Sequence, residues 1–160
     1  MTEAQRRVYQ TIAGGPRGGV RGPFNALLRS PELADRVQKV GEYLRFDSSL
    51  PPRLNELAIL VNARFWGSKY EWYAHRPLAE KAGLAPAIAD DLARNARPSQ
   101  MQHEETVVYD FCTALHTTHA VRNHPYDGAS KNTSMAAADM SVAGTISSLR
   151  PMRSTSMPDG

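Results

Sequence analysis

Glu56-Leu57-Ala58-Ile59-Leu60-Val61-Asn62-Ala63-Arg64-Phe65-Trp66-Gly67-Ser68-Lys69-Tyr70-Glu71-Trp72-Tyr73-Ala74-His75 is the stretch that decides how this chain folds. Leu54, Leu57, Ala58, Val61 and Phe65 recur at the spacing of one helical face. Trp66-Gly67 reads as a bend, and Ser68 as the cap of a second helix running to Ala82, with Gly83 where a C-terminal cap belongs. On that second helix Ser68, Glu71 and His75 lie at i, i+3 and i+7, within an arc of roughly 60°. A short bend folds the first helix back antiparallel to the second. Glu56 from one helix and Glu71 from the other then meet His75 in the groove between them. A neighbouring carboxylate raises the pKa of an imidazole while burial lowers it, so the group suits proton transfer near neutrality. Phe65, Trp66, Tyr70, Trp72 and Tyr73, five of the chain's 12 aromatics, fall within nine residues and can wall a small apolar pocket.

Working outward, the same helical signals continue in both directions. Glu3 to about Ala13 forms a short helix with Val8 and Ile12 on one face. A glycine-rich loop, Gly14 to Pro23, follows. Ser30 caps a helix beginning at Pro31, whose apolar stripe is Leu33, Val37, Val40 and Leu44. The run Asp47-Ser48-Ser49-Leu50-Pro51-Pro52 ends it. Downstream of the central pair, Pro86 opens a helix carrying Ile88 and Leu92. A last one runs from about Gln102 to Val121, with Val108, Phe111, Cys112 and Leu115 inward. No useful β-alternation competes, so the expected fold class is all-α.

Composition narrows the functional classes. The chain has 160 residues, 41% hydrophobic and 22% charged, which suits one folded domain. A formal charge of +3 comes from basic residues dispersed among acidic ones, which gives no nucleic-acid surface. No apolar run reaches the roughly 20 residues of a membrane span, and the polar start has no signal-peptide core, so a cytoplasmic location is expected. The one cysteine, Cys112, cannot form an internal disulfide and reads as buried apolar filler. The glycine-rich loop lacks Gly-Lys-Ser/Thr and follows no strand, so it is neither a P-loop nor a dinucleotide fingerprint. His116 and His119, with His124 beyond, have no carboxylate or Cys at matching spacing and read as a solvated face rather than a metal site. The same sober reading applies to the central group. A Glu–His pair one turn apart is often a surface pair, and aromatics at helical spacing are often core.

From about Arg7 to Val121 the chain resembles the carboxymuconolactone decarboxylase family, which also contains the alkylhydroperoxidase D proteins. The matching blocks are Gly15 to Phe24, Ser30 to Ala34, Pro51 to Val61, Tyr70 to His75 and Ala82 to Leu84, in that order. The resemblance implies an alkylhydroperoxidase D-like helical domain. The family's peroxidase branch uses a Glu followed by Cys-x-x-Cys-x-x-x-His. Glu56 and His75 match its Glu and His, while Ser68 and Glu71 stand at its two cysteine positions. Neither residue type can form the thiolate, sulfenic acid or disulfide that peroxide reduction needs. The decarboxylase-like branch keeps the Glu and His without the cysteines. It implies cofactor-independent loss of CO2 from an unsaturated carboxylated lactone in aromatic-acid breakdown.

In that chemistry His75 is the expected general acid, oriented by Glu56 and Glu71. Arg21 is the preferred cation for carboxylate or lactone oxygens, with Arg17 and Arg64 as further candidates. Ser68, Trp66 and Trp72 complete the expected substrate contacts. The implied partners are the small lactone and further copies of the chain as a trimer or hexamer, with no nucleic acid, membrane, cofactor or metal. The rival reading is a non-catalytic oligomeric binding protein of the same fold.

The chain changes character near Arg122. Residues 1–122 form the expected domain, while 123–160 are rich in Ser, Thr, Met and Ala without apolar periodicity. Codons for Gly144 to Thr155 can be chosen so that a one-base shift yields an apolar helix, which suggests a frameshift from near Arg122 to just before Met157. Resequencing that returns the tail as written overturns that reading.

Overall fold

A computed structural model describes residues 1–118, and within them every regular element is helical, with no strand. The expectations for His119, His124, the end of the last helix and the 123–160 tail lie outside the described residues.

The elements are α1 (Glu3–Gly14), the short α2 (Phe24–Leu27), α3 (Pro31–Glu42), a π-helical turn (Tyr43–Asp47), α4 (Pro52–Trp66), α5 (Lys69–Lys81), α6 (Pro86–Ala93) and α7 (His103–Thr118). Local chemistry fixes most of their ends. Thr2 and Gln5 form a reciprocal capping box on α1. Proline opens α3, α4 and α6, where the missing N–H is no loss. Two positions at helix ends require glycine. Gly67 (φ +64°) closes α4, and Gly83 (φ +96°) closes α5. At each, the N–H of the residue after the glycine reaches back five residues, Ser68 to the Ala63 carbonyl (2.8 Å) and Leu84 to the Ala79 carbonyl (2.9 Å).

α4 is the centre of the molecule. Every residue from Leu54 to Ala63 is buried, because α5 and α7 pack along it and α6 covers its far end. Leu57, Ala58 and Leu60 are completely enclosed and join Ala79, Leu84, Ile88, Leu92, Val108 and Cys112 in the core. Charged tethers bind the surrounding helices to this frame. Arg53 at the start of α4 pairs with Glu104 and Glu105 of α7, and Arg76 of α5 pairs with Asp90 of α6 (2.6 Å). No described helix is long and apolar enough to cross a membrane.

α3 departs from its expected orientation. Leu33 and Val40 are 50% and 44% exposed, and Ala34 and Gln38 are the residues that face inward. Small Ala34 lets the helices approach closely, whereas two branched side chains at 33 and 40 would hold them apart. Ser30 occupies the cap position of α3, but its side chain makes no capping hydrogen bond. Phe65, at the last turn of α4, is 49% exposed because the core ends before it.

Replacing Leu60 with Ala is expected to lower unfolding stability by about 2–5 kcal/mol, as for other enclosed leucines. Leu33→Ala is expected to cost less than about 0.5 kcal/mol. Urea unfolding of the two variants checks the assignment of inner and outer faces.

Candidate functional site

α4 and α5 are joined by Gly67-Ser68, and the turn brings residues 56 and 75 side by side. Ser68 caps α5 by accepting from the Glu71 N–H (3.5 Å), which sets the phase of that helix. Glu71 and His75 then stand one turn apart on a single face. His75 Nδ1 lies 2.7 Å from Glu56 Oε2, and His75 Nε2 lies 3.3 Å from Glu71 Oε2. The imidazole is thus held between two carboxylates, one from each helix. Glu56 and His75 are each 8% exposed.

Burial is the largest single influence on His75 and disfavours its charge, but the hydrogen bonds and negative charges of Glu56 and Glu71 together outweigh it. The pKa of His75 is therefore raised above 6.5. The charged form of the ring is thereby favoured, and a carboxylate oxygen faces each of its nitrogens.

His75 and Glu71 open onto a cavity of about 710 Å3, while Glu56 stands behind the ring. The cavity's walls come from the glycine-rich loop, α3, the π-helical turn, α4 and α5. Its apolar surface includes Phe24, Leu44, Ile59 and Leu78, and its cations are Arg17, Arg21 and Arg45. The loop can lie this close for a specific reason. Gly22 has φ +57°, and a Cβ there would fall 2.4 Å from the Tyr70 ring. Glycine is required both by the backbone and by the aromatic face against it. Gly41 plays a similar part on α3, where a Cβ would meet the Arg17 guanidinium at 2.6 Å.

The expected substrate contacts divide between this cavity and other places. Arg21 lines the cavity from the exposed loop, and Arg17 lines it more deeply, stacked over Phe24 at 4.7 Å. Arg64 does not line it. Its Nε donates to the Leu92 carbonyl (3.1 Å), so its guanidinium serves to fix the end of α6. Trp66 sits beyond the end of the core in an aromatic group with Phe65 and His116. Trp72 packs against the core cluster, and Ser68 is occupied as the helix cap. Of the five aromatics around the bend, Tyr70 and Tyr73 line the cavity. Arg45 and Asn55 are cavity residues that the sequence reading passed over. Asn55 carried a signal, being a polar residue inside an otherwise apolar helical face.

Cys112 is buried in the core, and burial pushes its thiol up to about 12. His116 pairs with Asn62 and stacks on Phe65 at 4.2 Å. Among the described residues, no group of three His, Cys, Asp or Glu side chains is placed to hold a metal ion.

The sequence model of the carboxymuconolactone decarboxylase family matches residues 31–103, a span that includes Glu56, Glu71 and His75. No curated protein and no solved structure matches the chain.

Because folding raises the His75 pKa, its stabilising contribution is fully present below the unfolded value of 6.5 and is lost as pH rises through the folded value. Unfolding free energy is therefore expected to fall as pH is raised through neutrality, with a flatter profile in Glu56→Gln. Urea titrations across that range measure it. A native chain is also expected to leave Cys112 unmodified by thiol reagents that label it in denaturant.

Proposed function

We propose, from the premise that residues 31–103 belong to the carboxymuconolactone decarboxylase family, that this protein removes CO2 from an unsaturated carboxylated lactone without a cofactor. The observation that carries this reading is the imidazole held between two carboxylates at the wall of a cavity that also contains arginines.

The chemistry follows from where charge and protons go. The bond between ring carbon and carboxylate breaks, CO2 leaves, and the electron pair passes into the conjugated lactone as a dienolate. That anion is stabilised by a fixed cation, a part that Arg21 can fill from the cavity wall. Protonated His75 then delivers its proton to carbon and recovers one from water. Glu56 holds the ring's orientation through Nδ1, leaving Nε2 on the Glu71 side to exchange with substrate. Glu71 serves a second purpose as a negative charge at the cavity surface. A carboxylate beside it is raised in energy, and that repulsion disappears as the group becomes neutral CO2.

Peroxide reduction has little support. Ser68 and Glu71 stand where that chemistry needs thiols, and the Cys112 thiol is buried and pushed up to about 12. Assembly with further copies of the chain belongs to the same proposal. It is supported by the outward-facing Leu33, Val40, Tyr43 and Phe46, each at least 42% exposed.

Incubation of the purified protein with carboxymuconolactone is expected to release CO2. His75→Gln is expected to reduce that rate by about 10²–10⁴-fold, the usual share of a positioned general acid. Binding of the lactone without CO2 release would replace the enzyme with a binding protein of the same fold. Undiminished turnover in the variant would remove His75 from the reaction.

A further inference from the structure

Two of the arginines that line the cavity, Arg17 and Arg45, are held there by specific local geometry. Arg45 sits in the π-helical turn, whose wider winding interrupts α3 just before its chain leaves for α4. That turn is pinned from the core by the Asn55 amide, which donates to the Leu44 carbonyl at 2.9 Å. Arg17 approaches from the glycine-rich loop, resting on Phe24 and against Gly41. Its Nε is buried and has no hydrogen-bond partner. Neither arginine is in an ion pair with a described carboxylate. Two guanidinium groups thus face one space, with a buried donor that nothing satisfies.

Chemistry decides what such a pair can hold. A strong cation on the carboxylate that leaves would stabilise the starting state more than the transition state, because that group loses its charge as CO2 forms. Two arginines are useful where charge persists. We infer that Arg17 and Arg45 together seat a carboxylate of the ligand that stays anionic throughout and is not the one lost as CO2.

The neighbourhood also sets the charge of the occupant. Burial, and then the positive charge of Arg45, push the Arg17 pKa down, while Glu42 and Glu71 push it back up. Two nearby carboxylates partly balance the two arginines, so the space favours a singly charged carboxylate over a phosphate dianion. The planar fork of each guanidinium suits that group.

This inference rests on the decarboxylase reading for its account of which group reacts, and its test is independent of turnover. Acetate, glutarate and inorganic phosphate are titrated into the full chain at constant ionic strength while the arginine Nε–H and His75 ring signals are followed by NMR. Glutarate is expected to shift the Arg17 Nε–H signal saturably, and Arg45→Gln to weaken its binding by about tenfold or more. Arg45→Lys, which keeps the charge and loses the fork, is expected to fall between, and Arg6→Gln on exposed α1 to change nothing. Equal binding in Arg45→Gln and the unaltered chain overturns the seat. So does a response confined to His75, or tighter binding of phosphate than of either carboxylate. The Arg17 signal in the unaltered chain decides the matter if the Arg45 variants do not fold. Carboxylate binding without CO2 release from the lactone would sink the decarboxylase reading and leave the seat standing.

Discussion

The contact between Glu56 and His75 governs the site, and it exists because a helix can be ended sharply at Gly67. A carboxylate and an imidazole each lose hydration on burial, and neither would be tolerated apart from the other in the wall of this core. The left-handed glycine turns the chain within two residues, and Ser68 restarts it in a defined phase. Each nitrogen of the ring then meets an acceptor, at 2.7 and 3.3 Å. The imidazole is fixed at both ends, so the orientation of its two nitrogens is set.

The core and the cavity divide the work of α4. Leu54, Leu57, Ala58, Leu60 and Val61 are apolar and belong to the core, while Asn55 and Ile59 line the cavity and Glu56 reaches His75. A helix buried along ten consecutive residues gives a stiff backbone. Polar groups placed on it are held by the core rather than by the glycine-rich loop across the cavity. Site precision here derives from the core rather than from the loop.

Much of this was legible in the sequence, for identifiable reasons. Glu71 and His75 are one turn apart on one helix, so their meeting needs no tertiary information. Glu56 required the bend, and Gly67 marked it. Arg64, Trp66, Ser68 and Trp72 lie near that bend in sequence, yet distance along the chain does not say which side of a helix faces a cavity. Leu92's carbonyl, the core and the helix cap occupy three of them, and Trp66 lies past the core's end. In α3 the stripe of Leu33, Val37, Val40 and Leu44 has correct helical spacing, but two of its members point outward. Periodicity finds an apolar face and does not say what covers it. Arg45 was hidden for a different reason. It belongs to a π-helical turn, and the wider winding changes the direction in which a residue points relative to the α-helix before it.

The close approach of Gly22 to Tyr70 ties two distant parts of the chain into a single steric unit. Trimming the phenol ring would enlarge the chamber, yet position 22 would still demand glycine, since its backbone angle remains left-handed. Adaptation to bulkier ligands therefore has an asymmetric route, through residue 70 and not through the loop it supports.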